Sequence, residues 1–189
     1  MNPQELRATI GLALIYALRM VGMFAVLPVF ALYARQLPVP ASDLQIGFAI
    51  GAYGLSQALL QIVLGIVSDR IGRKPVIALG LLVFAAGSFI AGASHDIHWI
   101  ILGRAVQGAG AISSAASALL ADLTRESVRA TAMAILGAGM GVAFLLALVL
   151  GPVAAAHIGV DGIFDATGVL ALLAVPVVIW GLATPPQPT

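Results

Sequence analysis

Two arginines stand inside long apolar stretches, Arg19 roughly ten residues into one of them and Arg104 within another. A charge at mid-membrane costs about 2.5–3.5 kcal/mol on insertion scales, so each side chain is expected to face a bundle interior or water rather than lipid. Gln107, Gly108 and Ala111 follow Arg104 at helical spacing, which gathers a cation, an amide and two small residues on one face. Tyr53, Gln57 and Gln61 recur four residues apart and make a polar stripe along an otherwise apolar helix. Cations and amides so placed can bind a solute or pass a proton. They can also tie helices together, the arginines through backbone carbonyls and the stripe through interhelical hydrogen bonds. On these residues alone both roles stay open.

A different chemistry is concentrated between Gly65 and Pro75, where Asp69, Arg70, Arg73 and Lys74 crowd a short break between apolar runs. Cations at a membrane edge set topology, but an acidic residue contributes little to that rule. Gly72 allows so short a loop to reverse through positive φ. Other reactive chemistry is poorly supplied. With no Cys and only three His (His95, His98 and His157, all expected in outer loops), a disulfide framework and a thiolate metal site are excluded, and no metal or cofactor is expected. Ser113, Ser114 and Ser117 lack the membrane-embedded His that an intramembrane serine protease requires, so no enzyme is expected. A formal charge of +1, with no basic patch interleaved with aromatics, leaves no case for nucleic acid. No ring of acidic or carbonyl-rich filter residues suggests a channel.

The elements that must position these residues are set by composition. Of 189 residues, 61% are hydrophobic and 9% charged, where a soluble domain has roughly 45–50% and about 25%. That excludes a water-soluble globule. A helix needs about 20 apolar residues to cross the hydrocarbon core, and six such runs occur, at about 9–34, 44–67, 75–94, 97–121, 130–157 and 162–183. Ser42 with Gln45 reads as a capping box opening the second, and Pro75 suits the first turn of the third. The runs do not alternate as barrel strands would, for example from Phe144 to Leu150, so the fold class is all-α. Arg19 is foreign to a signal peptide, so the first run is read as a retained span. Gly47 with Gly51, and Gly137 with Gly141, supply GxxxG spacings for close helix packing.

If the six spans alternate from an inside N-terminus, Arg7, Arg70, Arg73, Lys74, Arg125 and Arg129 fall on the cytoplasmic side and only Arg35 falls outside. That bias predicts cytoplasmic N- and C-termini.

The Gly65–Pro75 segment resembles the signature loop of the major facilitator superfamily, G-x-L-(A/S)-D-R-x-G-R-(R/K), with Val67 where Leu is usual. Residues Arg104 to Ala111 are similar to the R-x-x-Q-G-x-G-A motif of that superfamily's proton-coupled antiporters. Gly151-Pro152 matches the centre of a third motif, which ends helix five in drug–proton antiporters, while Ala138, Ala147, Ala155 and Ala156 stand where Gly is usual. Asp165 departs from the pattern near the start of helix six, where an aromatic residue is usual.

The resemblance implies one half of a transporter, with residues 1–184 forming a six-helix bundle built as a 3+3 inverted repeat and 185–189 beginning a connector to a second half. It implies proton-coupled efflux of small organic compounds by alternating access across a cell inner membrane. The partners would be the lipid bilayer, a small-molecule substrate, protons and a second six-helix half. It further implies that Asp69 faces a helix N-terminus of that half and that Arg73 pairs with Asp122 when the cytoplasmic side is closed. The alternative is a truncated half-transporter or membrane scaffold that transports nothing.

Overall fold

A computed structural model describes residues 1–182; the expected connector at 185–189 and the last residue of the sixth run lie outside the described residues. Among the described residues every regular element is helical: α1 (Pro3–Ala25), α2 (Leu27–Arg35), α3 (Asp43–Ile71), α4 (Arg73–Gly92), α5 (Ile97–Ala109), α6 (Ser113–Asp122) and α7 (Glu126–Pro176), which continues into a π-helical turn, Val177–Gly181. Among the described residues, four stretches are long and apolar enough to cross a membrane: Pro3–Arg35, Asp43–Ile71, Arg73–Gly92 and Glu126–Gly181.

Local chemistry explains where the helices start, bend and stop. The Ser42 capping box forms, with the Ser42 hydroxyl accepting from the Gln45 amide at 3.3 Å and the Gln45 side chain accepting from the Ser42 amide at 2.9 Å. A second box opens α1, where Asn2 Oδ1 accepts from the Glu5 amide at 2.8 Å and Glu5 Oε2 from the Asn2 amide at 2.7 Å. The first apolar run is bent rather than straight. Pro28, in the first turn of α2, has no N–H to give the preceding turn, and α1 gives way to α2 at Val26.

The partition differs from six continuous runs at one place. The run at 97–121 breaks at Gly110–Ile112 into α5 and α6, each too short to span alone. Ala111 therefore leaves the helical face that Arg104 and Gln107 share. The runs at 130–157 and 162–183 lie on either side of a kink in α7, which is two helices joined at Gly159 rather than one rod, and the second run continues past Pro176 into the π-helical turn. Gly159 interrupts α7 at φ 73 and ψ 171, a region that a side chain opposes and glycine does not. His157, expected in a loop, lies in the last helical turn before that kink, with Nδ1 2.8 Å from the Val153 carbonyl.

The helices pack with α1 against α7, α5 against both α3 and α4, and α4 against α7. One apolar core gathers Leu12, Leu81, Phe84, Ile112 and Leu119; another, at the opposite end, gathers Phe30, Ile100 and Phe164. Close approach rests on small residues. A Cβ on Gly103 would stand 2.7 Å from the Ala91 amide nitrogen and 2.8 Å from the Gly87 carbonyl, so α4 and α5 meet backbone to backbone. At Gly108 a Cβ would collide with the Tyr53 carbonyl and the Ser56 hydroxyl, and at Gly151 it would lie 3.1 Å from the Ala25 Cα.

The GxxxG expectation is corrected by this packing. Gly47, Gly51, Gly137 and Gly141 lie on exposed faces with no atom within 4 Å of a Cβ position, so they pack against no other helix among the described residues. The spacing puts two glycines on one face without saying which way that face points.

Candidate functional site

The packing of α1, α3, α4 and α5 brings Arg19, Tyr53, Phe84 and Arg104 into one cluster. Arg19 and Arg104 are each 3% exposed, and Tyr53 lies between them at 4%. The Arg104 Cζ is 4.8 Å from the centre of the Tyr53 ring, while the Arg19 Cζ is 5.9 Å from that ring and 5.2 Å from the ring of Phe84. A guanidinium over a ring face is stabilised by about 2 kcal/mol when desolvated.

Amides orient both cations. Arg19 Nη2 donates to Gln57 Oε1 at 3.3 Å, and Arg104 Nη1 donates to Gln107 Oε1 at 3.1 Å. Gln107 is fully buried and passes a bond on through Nε2 to the Ser88 hydroxyl at 2.7 Å, which in turn donates to the Phe84 carbonyl at 2.9 Å. Arg19 Nε and Nη1 and the Tyr53 hydroxyl are buried with no hydrogen-bond partner among the described residues. Arg19 thus ties α1 to α3 through a side-chain amide and, among the described residues, through no backbone carbonyl.

Of the stripe on α3, Tyr53 is buried whereas Gln57 and Gln61 are half-buried. The Gln61 backbone carbonyl accepts from the Ser114 hydroxyl at 2.7 Å, and that serine also packs over Gly65. The Ser56 hydroxyl donates to the Ala105 carbonyl at 2.7 Å, seating Gly108 against α3.

A charged joint occupies one end of the bundle. Gly72 closes α3 at φ 101 and ψ 151, with its amide donating to the Ser68 carbonyl at 3.2 Å. That turn aims Arg73 back along α3. Its Nη1 donates to the Ser68 hydroxyl at 2.7 Å and pairs with Asp69, and its Nε reaches Asp122 Oδ2 on α6 at 3.3 Å. Lys74 points elsewhere. Its Nζ donates to the carbonyls of Ile179 at 2.9 Å and Leu182 at 2.7 Å, capping the end of the π-helical turn. Arg70 is exposed.

Sequence reasoning missed a neighbour of this joint. Glu5, 3% exposed, accepts from Arg125 Nε at 2.8 Å and Nη2 at 3.2 Å. Asp122 and Arg125 line an open pocket of about 280 Å³ with Asn2 and Glu5. The Asn2–Glu5 spacing could have signalled the capping box, but nothing local could have signalled Arg125. At the opposite end the Tyr33 hydroxyl donates to Asp161, and His95 Nε2 lies 3.6 Å from the same carboxylate. Asp96 caps α5, and the amide and ring of His98 hold its carboxyl below the ordinary value.

Among the described residues no group of three or more His, Cys, Asp or Glu side chains could hold a metal ion.

Residues 12–189 match the Major Facilitator Superfamily. The chain is 52% identical over 180 residues to the inner membrane transport protein YajR of Escherichia coli (strain K12), covering 95% of this chain and 39% of that protein. It is 39% identical over 180 residues to an uncharacterized transporter of Buchnera aphidicola subsp. Schizaphis graminum, covering 95% of this chain and 46% of the other. Its fold matches a crystal structure of a bacterial homolog of the human lysosomal transporter Spinster, at a TM-score of 0.87 and 20% identity, over 99% of this chain and 46% of that one. The chain thus spans less than half the length of the curated relatives it matches.

Proposed function

The chain belongs to the major facilitator superfamily, a family of membrane transporters rather than enzymes, and from that premise we propose that it forms one half of a proton-coupled exporter of small organic compounds that works by alternating access. In this reading the chain crosses the inner membrane six times as a 3+3 inverted repeat over residues 1–184, with both termini cytoplasmic, and a second six-helix half completes the cavity. Arg19, Tyr53, Gln57, Gln61, Arg104 and Gln107 serve the substrate or proton pathway. The exposed glycine pairs of α3 and α7 meet the second half.

The observation that carries the reading is the position of Arg73, held by Ser68 and Asp69 from α3 and by Asp122 from α6. A loop that only set topology would not need its arginine pinned across two helices. In the closed cytoplasmic state Asp69 is set against a helix N-terminus of the second half, where the dipole favours a carboxylate, and opening separates them. A few kcal/mol at such a contact shifts a two-state equilibrium strongly.

Proteoliposomes carrying the protein with its second half, an imposed pH gradient and ethidium, norfloxacin or benzoate as probe solutes test this. Gradient-dependent flux of at least one probe, reduced in Asp69→Asn, is expected. Flux indifferent to the gradient removes proton coupling; no flux of any probe favours the non-transporting reading.

A further inference from the structure

The buried polar atoms without a partner among the described residues fall in one place, at Nε and Nη1 of Arg19 and the hydroxyl of Tyr53. Each can donate, and the two nitrogens carry most of the donors of a guanidinium. Arg104 brings a second guanidinium to within 4.8 Å of the same tyrosine ring centre. The acceptors that these cations meet, Gln57 Oε1 at 3.3 Å and Gln107 Oε1 at 3.1 Å, are neutral. An amide oxygen orients a guanidinium and leaves its charge uncompensated, which is costly in a dry interior.

The chain offers no compensating carboxylate there. Its 8 acidic residues sit in caps, at helix ends or within about two turns of the Gly159 reversal, away from the middle of the bundle. Two cations that face no carboxylate and a phenol without an acceptor therefore lie side by side where α1, α3 and α5 meet.

We propose that Arg19, Arg104 and Tyr53 form the recognition site for an anionic group, a carboxylate, sulfonate or phosphonate on a small organic solute. This rests on the transporter reading above and adds the charge of what is carried. Gln57 is half-buried beside Arg19. An entering anion displaces its amide oxygen from Arg19 Nη2, accepts from the free Arg19 donors and from Tyr53, and forms charge-assisted bonds with cations already held against the rings of Tyr53 and Phe84. A cationic solute meets two like charges and is rejected.

The test is calorimetric binding to the protein in lipid nanodiscs. Benzoate, benzenesulfonate and phenylphosphonate are compared with neutral benzamide, cationic benzyltrimethylammonium and chloride. At least one organic anion is expected to bind about tenfold or more tightly than benzamide, and the cation not at all. Arg19→Gln and Arg104→Gln should each weaken that anion by about tenfold or more, with Arg19→Lys retaining part of the affinity. Should the glutamine variants fold poorly, benzoate against benzamide on the unaltered protein still decides. Equal binding of benzamide, preference for the cation, chloride matching the organic anions, or no binding by any of the three anions overturns the proposal. Gradient-driven flux without anion selectivity removes this inference and leaves the transport reading, whereas anion binding without flux does the reverse.

Discussion

Gly72 sits at φ 101 and ψ 151, where any side chain is strained. Gly72→Ala is expected to lower stability by about 1–3 kcal/mol, seen as a lower Tm in detergent; an unchanged Tm would mean that the α3–α4 joint relaxes freely. The pairs it aims are partly exposed, with the Arg73 side chain 20% and Asp122 42% accessible, so their worth lies more in geometry than in energy. Reversing either charge puts like charges face to face. Arg73→Asp and Asp122→Arg should each cut flux several-fold in a transporter with both halves, and the double reversal should recover part of it; a double variant no better than either single would remove the pairing from the mechanism. Part of this joint could be read from the sequence, because Ser68, Asp69 and Arg73 lie within six residues and the family resemblance pairs Arg73 with Asp122, whereas the carbonyls that Lys74 meets lie more than 100 residues away. Glu5 and Arg125 are 120 residues apart and carry no local mark of their bond. The cluster around Tyr53 was half visible: helical spacing joined Arg104 to Gln107, but only the crossing of α1, α3 and α5 shows that Arg19 meets Gln57 and that both cations share a ring.

Helices in this chain approach each other where glycine removes a side chain, and the position of a glycine matters more than its motif. Gly108 faces the Tyr53 carbonyl and the Ser56 hydroxyl, whereas Gly47 faces open space. Gly108→Val is therefore expected to destabilise the bundle by about 1–3 kcal/mol or more through overpacking. Gly47→Val should leave its Tm unchanged, and if the exposed face of α3 meets a second half it should lower flux without loss of folded protein. Thermal unfolding of the two variants beside the parent checks both, and equal Tm losses would sink the distinction. Hydropathy located every apolar run, and capping chemistry at Ser42 located the start of α3. It did not reveal the break at Gly110–Ile112, because an averaged window sees only that the residues are apolar, whereas the kink at Gly159 falls in the interval that hydropathy left between the runs at 130–157 and 162–183.

At the scale of the whole molecule, what the bundle leaves uncovered decides whether it can act alone. α3 buries only Ile46, Ala49, Tyr53 and Ser68, and its remaining faces carry Leu44, Leu55, Leu59 and Ile62 at 63–71% exposure. α7 likewise exposes Leu145, Val149 and Val153. Lipid can cover apolar residues, but it offers nothing to Gln57 and Gln61, which lie on the same helix and are half-exposed. Alternating access needs two bodies that rock around a shared site, and a single bundle has nothing to rock against. Residues 1–189 reconstituted alone are therefore expected to show no gradient-driven flux of ethidium, norfloxacin or benzoate above protein-free liposomes. Co-expression with a complementary six-helix half should restore flux and, if that half covers α3, raise the Tm. Robust flux from the chain alone, with a mass measurement showing one copy per particle, would overturn the half-transporter reading; flux from a species of two copies would make a second copy of this chain the missing half.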